Sequence, residues 1–209
     1  MEKSRLSGWS YRLSPRLMLR TRPLDRTEAG EQVLLINSAK AFPPGHPTTR
    51  LCLDLLGEAL TAEKVQRLLD MGCGAGVISL AAAALGVPRV VAVDISAAAT
   101  RATRENAREN GLAGAISAVQ GSTDCLGVPF DLVVANLPWE VQLDKAAELD
   151  RLAGGRLILS GFHDNQERPL LESYQRLGWR LKQRSVKDFS HPELPPEISF
   201  TWVAWRLER

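Results

Sequence analysis

The sequence predicts an α/β fold: a mostly parallel sheet of seven strands, helices on both faces, and an antiparallel hairpin closing one edge. Three observations predict it. From residue 46 onward, strand-like runs alternate with segments of helical period, as parallel strands joined by crossover helices require. The run at 89–93 (Arg-Val-Val-Ala-Val) is apolar throughout its core, the pattern of a strand covered on both faces. The chain ends on two strand-like runs with no helix between them, which implies an antiparallel pair.

Each element has its own justification. Segment 47–60 puts Leu51, Leu55, Leu56, Ala59 and Leu60 on one face, an amphipathic helix. Segment 67–71 is a short apolar strand running into glycines. Segment 77–85 is an Ala-rich helix stopped by Gly86 and Pro88. Ser96 caps a helix that ends at Asn110-Gly111. Strands follow at 116–120 and 130–135. A helix at 141–152 is ended by Gly155, and 156–160 is the fifth strand. A helix at 166–177 precedes the closing strands at 179–186 and 198–205. Residues 46–209 form the predicted domain and 1–45 an N-terminal extension. In the extension, Leu17, Leu19 and Thr21 alternate with Arg16, Met18, Arg20 and Arg22, and 33–37 is a short apolar run. Both read as short strands, forming a hairpin at the domain's edge.

Composition narrows the function classes. With 209 residues, 44% apolar and 24% charged, the chain suits one globular domain. Net charge is +2, but residues 1–26 hold seven basic and two acidic side chains, a local charge of +5. Such an arm suits RNA or an acidic protein surface, or serves only as a solvated edge. Cys52, Cys73 and Cys125 are odd in number and form no C-x-x-C pair, which argues against a disulfide framework and against zinc. His46, His163 and His191 have no ligand spacing, so no metal is expected. The most apolar stretch, 76–85, is too short to span a membrane, and the amino terminus lacks the apolar run of a signal peptide. A reducing cytoplasm is the expected location.

Two motifs carry chemistry. The first is Leu68-Leu69-Asp70-Met71-Gly72-Cys73-Gly74-Ala75-Gly76, a strand that ends in a glycine-rich turn opening a helix. Glycine allows the tight turn and a close backbone approach to a ligand. Val77 stands where the dinucleotide pattern G-x-G-x-x-G needs its third glycine, which argues against a nicotinamide cofactor. The turn lacks the lysine of a triphosphate loop. Asp94 ends the next strand, 22 residues past Gly72, at the offset of a carboxylate that holds ribose hydroxyls. A nucleoside without phosphate but with an ammonium group fits these residues, and S-adenosyl-L-methionine is the expected cofactor. Asp70 beside the turn is placed to orient the loop and meet that ammonium.

The second motif is Asn136-Leu137-Pro138-Trp139, directly after the fourth strand, where open α/β sheets bind ligands. It resembles the NPPY-type string of methyltransferases that modify planar nitrogens. Such a site uses the Asn136 side chain and the Leu137 carbonyl as acceptors for an NH₂ group, with Trp139 stacking on a planar group or facing a cation.

The ordered series of motifs also resembles PrmA, the bacterial ribosomal-protein methyltransferase family. The resemblance is carried by 41–49 (Ala-Phe-Pro-Pro-Gly-His-Pro-Thr-Thr), Leu51-Cys52-Leu53, Glu105-Asn106-Ala107, Asn110-Gly111, 131–136 and Leu157-Ile158-Leu159-Ser160-Gly161 with Gln166. It implies the Rossmann-like class I methyltransferase fold, S-adenosyl-L-methionine, and methylation of an amine on a protein, which for this family is ribosomal. The expected cofactor-binding set is Phe42, Thr48, Asp70, Gly72, Cys73, Gly74, Gly76, Asp94, Ile95 and Asn136; the expected catalytic set is Asn136, Leu137, Pro138 and Trp139. The chain departs from the family at Pro43-Pro44, which replace a Gly-Thr pair, at Pro138-Trp139, and at Gly121-Ser122, where relatives carry an acid for the adenine amine. The family's additional N-terminal domain is not expected in 209 residues. Three alternatives stay open here: methylation of a nucleic-acid base or small planar amine, a non-catalytic cofactor-binding protein, and, opposed by Val77, a nicotinamide-dependent oxidoreductase. His46, His163 and Tyr174 are the candidate proton acceptors.

Overall fold

The computed structural model describes residues 8–23, 30–38, 42–189 and 200–209. The main sheet contains β4 (Arg67–Met71), β5 (Arg89–Asp94), β6 (Ile116–Gln120), β7 (Leu132–Asn136), β8 (Arg156–His163), β9 (Arg180–Phe189) and β10 (Phe200–Glu208), in the order β6-β5-β4-β7-β8-β10-β9. β4 to β8 are parallel, and β10 lies antiparallel between β8 and β9. This is the predicted seven-stranded sheet with its closing hairpin. The predicted start of the last strand, Ile198, lies outside the described residues.

Alternating side chains build two cores. Leu68, Val90, Leu132, Val134 and Ile158 face α1 (Pro47–Ala62) and α2 (Val77–Ala84). Leu69, Val93, Val133, Ala135 and Leu159 face α5 (Ala146–Leu152) and α6 (Glu167–Arg176). A strand buried on both faces has no polar side to show, which is why 132–135 reads as a continuous apolar run and 68–71 is interrupted only by Asp70.

Helix starts and stops follow local chemistry. Pro47 opens α1, where its missing N–H costs nothing, and the His46 side chain accepts from Thr48 N. The Ser96 side chain caps α3 (Ala97–Glu109) by accepting from Ala99 N, and Gly111 follows its end at φ 70°. The helix expected at 141–152 is instead two: α4 (Trp139–Asp144) and α5, separated at Lys145. Pro138 stands at the cap of this earlier start, where its missing N–H breaks no helical hydrogen bond. Phe130 lies outside β7 and makes only an isolated bridge to Ala153. β8 runs three residues past its predicted end, because β10 pairs with it as far as His163.

The extension differs from expectation. β1 (Ser10–Ser14), which was not predicted, forms a hairpin with β2 (Leu17–Arg20) across Pro15-Arg16; β3 (Gln32–Leu35) pairs parallel to β2. A hairpin between the two predicted runs is therefore wrong. Leu17, Leu19, Leu34 and Ile36 from this small sheet join the core formed by α1 and α2. Arg12 is ion-paired with Glu31 at 2.7 Å. Lys3, Arg5 and Arg26 of the basic arm lie outside the described residues.

Asn106 and Asn110 bind the extension to α3. Asn110 Oδ1 accepts from Leu35 N at 2.8 Å and its Nδ2 donates to Leu35 O at 2.8 Å. Asn106 is fully buried; Oδ1 accepts from Asn37 N at 2.9 Å, and Nδ2 donates to Asn37 O at 3.0 Å and to Ala75 O at 2.8 Å. Removing this amide takes away the side-chain partner of one buried carbonyl, at Ala75, and of two part-buried backbone groups, at Asn37. Asn106→Ala is expected to lower the unfolding free energy by about 2–3 kcal/mol in a urea titration. A loss below ~0.5 kcal/mol would show that the extension is not held by this amide.

Candidate functional site

The strand order changes direction between β4 and β7: successive crossovers lead from β4 to β5 and β6 on one side, and from β7 to β8 on the other. The carboxyl ends of β4 and β7 are thereby left uncovered, the crevice in which open α/β sheets bind ligands. A cavity of about 1240 Å³ occupies it. Phe42, Thr48, Asp70, Gly72, Cys73, Gly74, Asp94, Ile95, Asn136, Leu137 and Pro138 all line it. Two motifs 60 residues apart thus meet in one space.

The glycine turn has left-handed backbone at Gly72 (φ 78°), Gly74 (φ 55°) and Gly76 (φ 79°), which other residues rarely adopt. At Gly74 a Cβ would meet only Phe42 Cβ, at 3.9 Å, so the missing side chain leaves room for a ligand. At Gly72 a Cβ would lie 2.4 Å from Leu137 Cδ2, so that glycine lets the two motifs touch. Gly76 does not line the cavity; it lets the turn pack on Thr103, which a Cβ would meet at 2.8 Å.

The two acids differ. Asp94 is half-buried; Oδ2 accepts from Gly74 N at 3.0 Å and Oδ1 from Ser96 N at 2.9 Å. Asp70 is buried, and its Oδ2 accepts from Ser79 N at 3.0 Å and Ser79 Oγ at 2.6 Å, tying the amino end of α2 to β4. Burial pushes its carboxyl up to about 6, against the Ser79 hydrogen bonds that favour the charged form; the nearby Asp94 adds to the rise.

The acceptor-binding arrangement expected of an NPPY-type string is not present. The Leu137 carbonyl accepts from Gln142 Nε2 at 2.7 Å, and a Cβ on Gly161 would lie 2.1 Å from it. That oxygen is turned into the protein and shielded by Gly161. Trp139 does not line the cavity: it opens α4 and packs against the core on the α5 and α6 side. Asp124 does not line it either, whereas Gly121, Ser122 and Thr123 do.

Sequence reasoning missed an aromatic wall. Trp202 lines the cavity beside Phe42 and His46; His46 lies 4.6 Å from Phe42 and 4.7 Å from Trp202 by ring centroids, and His163 lies 4.0 Å from Trp202. Burial lowers both imidazole pKa values, and for His46 the nearby His163 lowers it further, so both rings are neutral at neutral pH. Tyr174 is buried in the second core, away from the cavity. Among the described residues no group of three His, Cys, Asp or Glu side chains is placed to hold a metal, and no helix is long and apolar enough to cross a membrane.

A family model described as ribosomal protein L11 methyltransferase (PrmA) matches residues 10–188. The chain belongs to this family. Curated PrmA-family relatives include the ribosomal protein L11 methyltransferase of Syntrophotalea carbinolica, 38% identical over 172 residues, covering 80% of this chain and 56% of the relative. That of Thermotoga neapolitana is 32% identical over 183 residues, covering 84% and 68%. The chain spans about half the length of several of the curated relatives it matches. Among solved structures, a ribosomal protein L11 methylase from Lactobacillus delbrueckii subsp. bulgaricus has a TM-score of 0.78 at 24% identity, covering 96% of this chain and 98% of that one. The fold is thus the Rossmann-like methyltransferase fold. The PrmA-like segment before the glycine turn reaches the cavity through Phe42, Pro44, His46, Thr48 and Thr49, despite Pro43-Pro44.

Asp70 gives a pH signature. Its proton is held more tightly in the folded chain, near pH 6, than in an unfolded one, near pH ~3.9. Its contribution to stability is therefore fully present below about pH 4 and is lost as pH rises through about 6. Asp70→Asn keeps an acceptor for Ser79 and removes the titration. The variant should gain on the order of 3 kcal/mol relative to wild type between pH 4 and pH 7. Parallel stability curves across that range in urea titrations would contradict the buried, perturbed carboxyl.

Proposed function

We propose that this chain is an S-adenosyl-L-methionine-dependent methyltransferase that methylates an amine nitrogen of a protein, with residues 46–209 as the catalytic unit and 1–45 as its extension. The observation that carries this reading is that the glycine turn with Asp94 and the Asn136 segment line one cavity. PrmA-family membership adds the protein class: the matching relatives are named for ribosomal protein L11, so a ribosomal protein is the proposed acceptor. The proposed location is the cytoplasm, where ribosomal proteins are made and assembled.

The residues fit this cofactor. Gly74 offers a side-chain-free approach, and Asp94 keeps acceptor capacity for ribose hydroxyls beyond its two backbone bonds. Ile95 is 78% exposed against the same cavity, an apolar surface for the adenine. The turn has no lysine to favour a phosphate. When bound, the cofactor supplies a methyl carbon on a sulfonium whose leaving group is a neutral thioether. The chain's task is then positioning and water exclusion. Asn136 orients the acceptor nitrogen with its side-chain amide. Leu137, Pro138 and Trp202 give the cavity an apolar wall, and neutral His46 adds no fixed cation beside an incoming amine.

The planar-nitrogen alternative loses support. It requires a second acceptor beside Asn136, and the Leu137 carbonyl is held toward the Gln142 amide and packed against Gly161. No comparison favours a nucleic-acid partner for the basic arm.

The test is methyl transfer from tritiated S-adenosyl-L-methionine into a lysate lacking this gene product, followed by protease or nuclease. Protease-sensitive label in a discrete band is expected; nuclease-sensitive label would replace the protein acceptor with a nucleic acid. Asp94→Ala should abolish cofactor binding by calorimetry, and unchanged affinity would remove the ribose assignment. Asn136→Ala should keep cofactor affinity and lower turnover on the order of 100-fold.

A further inference from the structure

We infer that Gln142, which no sequence motif singles out, is the positioning residue of the acceptor end of the cavity. This rests on the methyltransferase reading for its consequence, though its geometry stands alone. Gln142 lies in the first turns of α4 and is fully buried. Its Nε2 donates to Leu137 O at 2.7 Å and to Ser160 O at 2.7 Å. Both partners are carbonyls, so only the NH₂ end of the amide can face them.

One amide therefore joins the end of β7 to β8. Leu137 N also donates to Ser160 O, at 3.0 Å, which carries the β7–β8 pairing one residue past Asn136. Ser160 O thus accepts two bonds, its full capacity. Gln142 N donates to Pro138 O at 3.1 Å, fixing the other end of the same turn. Gly161 completes the clip, because any side chain there would collide with the Leu137 carbonyl. Asn136 is consequently held between a strand before it and a clip after it.

The clip carries a cost that packing alone would not justify. Gln142 Oε1 is buried without a hydrogen-bond partner. An apolar side chain of the same length would fill the space without stranding an acceptor, but it would release both carbonyls. Freed, the Leu137 carbonyl has no reason to stay behind Gly161, and the Asn136–Pro138 segment loses its fixed orientation toward the cavity.

Gln142→Met tests this, with its length kept and its donors removed. The readouts are cofactor affinity by calorimetry, the side-chain amide signal of Asn136 in ¹⁵N-labelled protein, and methyl transfer to unmethylated recombinant ribosomal protein L11. Cofactor affinity should stay within about threefold, the Asn136 signal should shift and broaden, and kcat should fall on the order of 100-fold with a smaller change in acceptor KM. Gln142→Glu is the companion variant, and it replaces Gln142→Met should that one not fold. A buried carboxyl holds its proton and in that form donates one bond. Its turnover relative to wild type should therefore rise as pH is lowered from 8 to 6. An unmoved Asn136 signal with wild-type turnover, or cofactor affinity lost in step with turnover, would overturn the assignment. If wild-type chain labels no protein, the protein-acceptor reading fails, while the Asn136 signal and cofactor affinity still decide the role of Gln142.

Discussion

The glycine turn after β4 holds its shape because β5 supplies its hydrogen-bond acceptors. Val93 O accepts from Gly72 N at 2.7 Å and Cys73 N at 3.0 Å, and the Asp94 carboxylate accepts from Gly74 N. From beneath, Thr103 Oγ1 donates to Gly74 O at 3.0 Å and Asn106 Nδ2 to Ala75 O. Backbone groups this close to the interior must find partners, and here the protein's own groups supply them. The shape of the turn is therefore fixed by bonds within the chain. The start of α2, the crevice above β4 and the contact with Leu137 all depend on it.

The parts of this arrangement legible in the sequence are those set by neighbours along the chain. Double-sided burial shows as unbroken apolar runs such as 132–135, the Ser96 cap and the Gly111 stop as local punctuation, and the glycine turn as spacing. Nearly every residue expected at the site lines the cavity, because the end of a strand fixes where the next residues emerge. What was not legible depends on partners far away in sequence. The parallel pairing of β2 with β3 is set by packing on α1 and by Asn110, 75 residues from Leu35. Trp202 reaches the cavity because β10 inserts beside β8, which no local pattern encodes. The break between α4 and α5 has no glycine or proline to announce it. Trp139 looked like part of a recognition string, yet as the first residue of a helix it turns toward the core.

Side-chain amides do much of the long-range joining. Asn106, Asn110 and Gln142 each present a donor pair and an acceptor on one short side chain, so a single residue can satisfy both an N–H and a C=O of a distant segment. Asn110 does so for Leu35 and Asn106 for Asn37. Gln142 does only half of this, spending its donors and stranding its acceptor. The imbalance falls beside Asn136, the residue proposed to orient the acceptor nitrogen. Local rules are most often broken at functional positions.

The two acids show how alike residues diverge once folded. Asp70 lies one residue before the end of β4 and Asp94 ends β5; from the sequence, Asp70 is the acid placed to meet an ammonium and Asp94 the one placed to hold ribose hydroxyls. Asp70 is enclosed, its Oδ2 committed to Ser79, and its carboxyl is pushed up by burial to about 6. Asp94 is half-exposed, and each oxygen makes one backbone bond and keeps one lone-pair direction for a ligand. A carboxylate that is partly neutral when alone becomes fully charged when a cation arrives, because an opposite charge nearby favours ionisation. A cationic cofactor in this cavity would therefore relieve at Asp70 the penalty that burial imposes. Asp94 instead keeps free acceptor directions at the cavity wall, whereas on the proposed reading Asp70 would couple a ligand's charge to the stability of the strand and helix beneath the turn.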